Sequence, residues 1–281
     1  MLTPFTYLVP NRPTLVLDQH RGHRTPMLDA LARAASDLAI AAPEAVVALS
    51  ARWTTSGPFR VDEGKRHRTL TDYSGLGVEV RYDCDGHPAL ARALVAAGRK
   101  AGLRAAVASH GVDSGVTVPL HFLTPGRQVP VVPLSLPAQN AAACAAWGAA
   151  LRDALEAWPE RVAFIVGGVL SCNEHAWNLK REIAETRELD EMAISALERG
   201  AWDELHGVSR SVRGRARPEA GLRHLDVLRG FTGDLACATM RCYESGPGIG
   251  AALIEFALAA RPVAEPTAEA QPDPHAADDP A

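Results

Sequence analysis

Hydrophobic runs separated by helix-patterned segments dominate this chain. "AVVALS" (45–50) sets five apolar residues ahead of Ser50 and predicts a strand covered on both faces. "VPVVPLSL" and "VAFIVGGVLS" repeat the pattern, and the last strand is expected around "GAALIEF". Between them, "TPMLDALARAASDLAIAA" has apolar residues at helical spacing, with Thr25 as N-cap and Pro26 at the first helical position. "HPALARALVAAGRKAGL" predicts a second helix ending near Gly102, with His87 in the turn before it. "AWGAALRDALEAW" and "TRELDEMAISALERGAWDEL" supply further helical segments. Apolar strands alternating with amphipathic helices predict a three-layer α/β/α domain around a mostly parallel or mixed sheet. The prolines of "VPVVPLSL" suggest that this strand is irregular or lies at an edge.

Of the 281 residues, 47% are apolar and 22% charged, enough for one large domain over 1–262. From Val263 the composition changes to Pro, Ala and acids, with five acids and no Lys or Arg, so residues 263–281 are expected to form a disordered tail. Of the formal net charge of −4, the five acids of that tail account for the negative excess, and the remainder, at about +1, gives no case for nucleic-acid binding. No segment reads as a membrane span or a secretory signal. The five cysteines then suggest reduced thiols in a cytoplasmic protein.

Chemistry-bearing residues fall at strand ends and in loops. Arg52 and Trp53 follow "AVVALS" directly, at the end of a strand where open α/β sheets gather ligands. Cys172, Glu174 and His175 follow "VAFIVGGVLS", and Cys172 is a candidate nucleophile without an identifiable base. His20 and His23 lie beside Asp18 at a spacing that could serve a metal, although solvated loop residues are the simpler reading. His121 reads as a packed or hydrogen-bonded histidine. There is no P-loop, dinucleotide-binding glycine turn, paired CxxC or HExxH.

In order, "AVVALSARW", "VDSGVTVPLHFL", "VPVVPLSL", "FIVGGVLSC" and "YESGPGIGAALIEF" resemble the LigB-like class III extradiol ring-cleavage dioxygenases and their Memo relatives, up to about Phe256. That resemblance implies a three-layer α/β fold. It also implies a non-haem Fe(II) held by two histidines and a glutamate, with positions open to a catechol-type substrate and O₂. The chain departs from the pattern where the chemistry lies. Asn11 stands at the family's Pro-His turn and Arg52 at its second iron histidine. Ser114 replaces the histidine of Asp-His-Gly, and "GVLSC" puts Val169 and Cys172 into the motif whose histidine is the acid/base. Glu244 of "YESGPG" is the one expected ligand position that matches.

Asparagine is a poor iron ligand, and arginine, permanently protonated, is none. Neither a serine nor an unactivated thiol titrates near neutrality as histidine does. The expectation is therefore a scaffold that has lost Fe(II) and ring cleavage and needs no cofactor. It would serve as a non-catalytic partner of a catalytic subunit or a homo-oligomer, or bind a small anionic or aromatic molecule. Asn11, Arg52, Trp53, Glu244 and His175 are expected to line its pocket, with Cys172 and Ser114 at the former acid/base positions. The alternative is an active oxidoreductase with Fe(II) or another divalent metal relocated to Glu244, His175, Cys172, His20 or His23. A third reading is a hydrolase or transferase using Cys172. In the first reading Arg52 faces Glu244 and replaces the missing cation.

Overall fold

A computed structural model describes residues 2–70, 77, 80–234 and 236–258 of the protein. The acidic tail expected from residue 263 lies outside the described residues. The strands among the described residues are β1 (Leu2–Val9), β2 (Ala45–Ser50), β3 (Phe59–Asp62), β4 (Arg66–His67), β5 (Cys84–Asp85), β6 (Ala105–Ala108), β7 (Val131–Leu134), β8 (Val162–Gly167), β9 (Ala238–Gly246) and β10 (Ile249–Phe256). The helices are α1 (Pro13–His20), α2 (Pro26–Ala41), α3 (Pro88–Lys100), α4 (Ser114–Leu123), α5 (Ala141–Ala157), α6 (Glu174–Asn178), α7 (Ala184–Glu198), α8 (Arg210–Ala216) and α9 (Arg223–Thr232).

Eight strands form one sheet in the order β6-β3-β7-β2-β8-β1-β10-β9, and β4 pairs with β5 separately. The sheet is mixed: β2 runs parallel to β7 and β8, and β1 to β8, whereas β10 is antiparallel to β1 and β9. Alternation along the central strands explains why their sequences are apolar throughout. Val47 and Leu49 of β2 and Phe164 and Val166 of β8 join a core shared with α3, α5, α7 and α9. Val46, Ala48, Ala163 and Ile165 face the other way, into a core shared with α1, α2 and α4. This is the expected three-layer α/β/α architecture. No described helix is long and apolar enough to cross a membrane.

Local chemistry sets the helix ends. The Thr25 side chain accepts a hydrogen bond from Leu28 N, and Pro26 opens α2. His87 caps α3 by accepting from Leu90 N. The long helical segment near residue 200 breaks at Gly200, whose φ is +68°, and resumes as a 3₁₀ turn over Trp202–His206. At the α5–α9 crossing, a Cβ on Gly148 would overlap the Val227 carbonyl and one on Gly230 the Ala145 carbonyl, so both positions require glycine.

Of the two alternatives for "VPVVPLSL", the edge position is corrected and the irregular pairing is what the structure has: β7 lies inside the sheet, between β3 and β2. Its full ladder runs to β2, whereas its pairing with β3 is the single register Val61↔Leu134. A proline that would break a two-sided ladder is tolerated where one side carries so few bonds.

Candidate functional site

The adjacent parallel strands β2, β8 and β1 deliver their carboxyl ends to one place. Arg52 and Trp53 follow β2, Asn11 follows β1, and Gly168 to Cys172 follow β8. The amino end of α4 fits closely against these ends because Gly115 and Gly167 lack side chains. A Cβ on Gly167 would overlap the Gly115 carbonyl, and one on Gly115 would overlap Ser50 Oγ.

A second segment supplies the carboxylate. Residues 217–219 pair with the chain after β8, through Cys172 N to Arg217 O (2.9 Å) and Glu219 N to Leu170 O (2.9 Å). The turn that follows is left-handed at three successive residues, Ala220 (φ +48°), Gly221 (+66°) and Leu222 (+65°). Only the middle one is glycine, so the backbone is strained on both sides of it. This turn delivers Glu219, 5% exposed, to the strand ends.

Four contacts converge on Glu219. Arg52 Nε lies 2.7 Å from Oε1, and Val169 N donates to Oε2 at 2.6 Å. Asn11 Nδ2 lies 3.2 Å from each oxygen. Burial pushes the carboxyl up from its ordinary range, while Arg52, Val169 N–H and Asn11 pull it back and Asp113 adds to the rise. Every one of these partners is a donor, which suits the ionised form. Arg52 also donates from Nη1 to Glu174 Oε1 (3.1 Å) and from Nη2 to Cys172 Sγ (3.5 Å). Although burial opposes its charge, Glu219, Cys172 and Glu174 hold the guanidinium well above its ordinary value.

The expected Arg52–Glu244 pair is therefore corrected. Arg52 binds Glu219 and Glu174, whereas Glu244, on β9, accepts from Met27 N at 3.2 Å. Two glutamates in Pro- and Gly-rich segments competed for one role, and the left-handed turn places Glu219 there.

The other expected residues divide. Asn11, Arg52 and Cys172 meet around Glu219. Trp53 is buried beside them, its ring stacked on His110 at 4.1 Å between centroids and 6° between planes. Ser114 is half-buried at the start of α4, next to its N-cap Asp113. His175 is exposed on α6. His20 and His23 are exposed near the end of α1, His23 Nδ1 lying 3.0 Å from Asp18 Oδ1. The Cys172 thiol is pushed up to about 11, by burial first and then by Glu219 and Glu174, against the pull of Arg52. A neutral thiol without a base is a poor nucleophile.

Several site residues were not singled out from the sequence. Ser50 Oγ donates to Asp113 Oδ1 at 2.6 Å and accepts from Arg52 N and Trp53 N, which fixes the corner after β2. His110 Nε2 lies 3.6 Å from Asp113 Oδ2. The i,i+3 spacing of "HGVD" was the available signal for that pair. His224 is fully buried beside Gly168. Burial, aided by Arg223, lowers its pKa to about 3, so it stays neutral.

These residues do not fit the iron that the resemblance implies. At the strand ends stands one buried carboxylate, already bound by a guanidinium, with an asparagine and a high-pKa thiol beside it. The relocated set fares no better: among the described residues, no group of three or more His, Cys, Asp or Glu side chains could hold one metal ion. No chemical step is derived through a metal.

Compared with known proteins, residues 6–254 match the family described as the catalytic LigB subunit of aromatic ring-opening dioxygenase. Over 164 residues the chain is 30% identical to "Dioxygenase tasH" of Hapsidospora irregularis, an overlap of 56% of this chain and 49% of that protein. The chain thus spans about half the length of this curated relative. The crystal structure of uncharacterized protein JW3007 from Escherichia coli K12 superposes with a TM-score of 0.62 at 19% identity, covering 79% of this chain and 91% of that one. At that identity the likeness is one of fold.

Proposed function

Because the chain belongs to the LigB family of aromatic ring-opening dioxygenases, we propose that it is a member without the family's iron chemistry, acting as a small-molecule binder. It would do so alone or as the non-catalytic subunit beside a catalytic partner. The observation that carries this reading is the 2.7 Å contact between Arg52 Nε and the buried Glu219. A carboxylate among strand ends is a costly isolated charge unless something neutralises it. In an iron enzyme the cation is the metal. Here an arginine fills that electrostatic role, and an arginine cannot coordinate a metal or open a position to O₂. The thiol at the former acid/base position stays protonated at neutral pH and cannot relay protons as histidine does.

The relative from Hapsidospora irregularis is named a dioxygenase, and carrying that activity over would require a ligand set converging somewhere in this chain. The test is anaerobic reconstitution with Fe(II), followed by metal analysis and measurement of O₂ uptake on adding a catechol. This reading expects sub-stoichiometric iron and no uptake above a protein-free control. Near one iron per chain, with catechol-dependent uptake, overturns it.

A further inference from the structure

Next to Asn11 lies a second arginine whose situation is the reverse of Arg52. Arg12 directly follows Asn11, and its guanidinium stacks over Trp177 of α6 with Cζ 5.0 Å from the ring centroid. That helix also carries Glu174, the outer partner of Arg52, so the two arginines share one rim. Arg52 is met by two carboxylates. Among the described residues the Arg12 guanidinium makes no ion pair or hydrogen bond, and its Nε is buried without a partner. Burial disfavours its charge, and only Glu244 and Asp18, beyond ion-pair distance, support it. Gly246 lies beside the guanidinium, where a Cβ would stand 3.8 Å from both terminal nitrogens, in ordinary van der Waals contact.

An unpaired, largely desolvated guanidinium is costly in a fold that pairs Arg52 twice. Stacking on the Trp177 face offsets part of that cost and leaves the planar N–H fork open. We propose that Arg12 anchors the carboxylate of a small organic acid. This deepens the binder reading above and rests on it for the notion that the cleft receives a ligand. A singly charged carboxylate fits better than a phosphate dianion, because Glu244 and Asp18 already place negative potential nearby. Arg52, held by two carboxylates, has little surplus charge to offer an anion.

The experiment titrates the full chain in chelator-treated, low-chloride buffer with benzoate, its neutral isostere benzamide, and inorganic phosphate. Binding is read by calorimetry and by the melting temperature. Benzoate is expected to bind and raise the melting temperature, benzamide to do neither, and phosphate to bind more weakly. Arg12→Met is expected to weaken benzoate binding by roughly tenfold or more. Without ligand it should melt at the same temperature or higher, since it removes an unpaired buried charge; a merely structural arginine would give a loss. Failure of the wild type to bind benzoate, equal binding of benzamide, tighter binding of phosphate, undiminished binding by Arg12→Met or a lowered unliganded melting temperature each overturns the proposal. Iron uptake is a separate reading: a chain that takes up iron yet binds benzoate through Arg12 defeats the metal-free function and leaves this site standing.

Discussion

Arg52 Nε and Glu219 Oε1 meet at 2.7 Å across the carboxyl ends of β2, β8 and β1, the carboxylate 5% exposed and the guanidinium side chain 34% exposed. The arginine comes from the corner after a central strand, and the glutamate from a strained left-handed turn before α9. The contact ties two parts of the fold and sets the charge of the cleft.

A substitution cycle measures that tie. Arg52→Met leaves Glu219 buried with only Val169 N and Asn11 as donors. Removing one partner of a buried pair can cost several kcal/mol, and the partial exposure of Arg52 reduces this to about 1–3 kcal/mol. Glu219→Gln should cost less in the Arg52→Met background than alone, because there is then no guanidinium to lose its buried partner. Denaturant unfolding of the four proteins gives the coupling, and additive costs would mean that the pair is energetically idle.

Two buried groups give stability opposite pH slopes. The folded pKa of His224, about 3, lies below its unfolded value, so its contribution is complete above about pH 6.5 and falls as pH drops, by about 1.4 kcal/mol per unit at most. Burial raises Asp190 to about 6 despite hydrogen bonds from Ser171 and Tyr243, so its contribution is complete below the unfolded value and is lost as pH rises through about 6. The two partly cancel between, so the wild-type curve conceals both. Difference curves separate them: His224→Leu gains on the wild type as pH falls below about 6.5, and Asp190→Asn gains as pH rises from about 4 to 7. Difference curves flat over those windows would contradict the assignments.

Thiol reactivity distinguishes the cysteines. With the Cys172 thiol pushed up to about 11, alkylation by iodoacetamide at pH 8 should be slow there and faster at exposed Cys237. Peptide mapping over a time course reads both sites. Preferential labelling of Cys172 would return it to candidacy as a nucleophile.

The sequence made the layers legible because β2 and β8 are buried on both faces and written in apolar residues, and because Thr25 and Pro26 mark their helix start directly. Placing β7 was harder: its prolines carry an edge signal, and only the sparse pairing with β3 explains their interior position. Within the site, Arg52 and Cys172 could be placed because they follow predicted strands, and Asn11 through the family resemblance. Glu219 could not. Its delivery depends on left-handed Ala220 and Leu222, residue types that do not announce such a turn, and Glu244 offered a family-like motif in its stead. Arg12 was silent for a related reason, since an unpaired charge becomes visible only when its surroundings are known.

The central claim is that an arginine has taken the place of a metal. The most direct test is a comparison of anaerobic Fe(II) binding by the wild type and by an Asn11→His/Arg52→His variant, read by metal analysis after desalting. The account predicts sub-stoichiometric iron in the wild type and increased retention in the variant, whose two imidazoles would join Glu219 as ligands. Near one iron per chain in the wild type, unchanged by the double substitution, would contradict it.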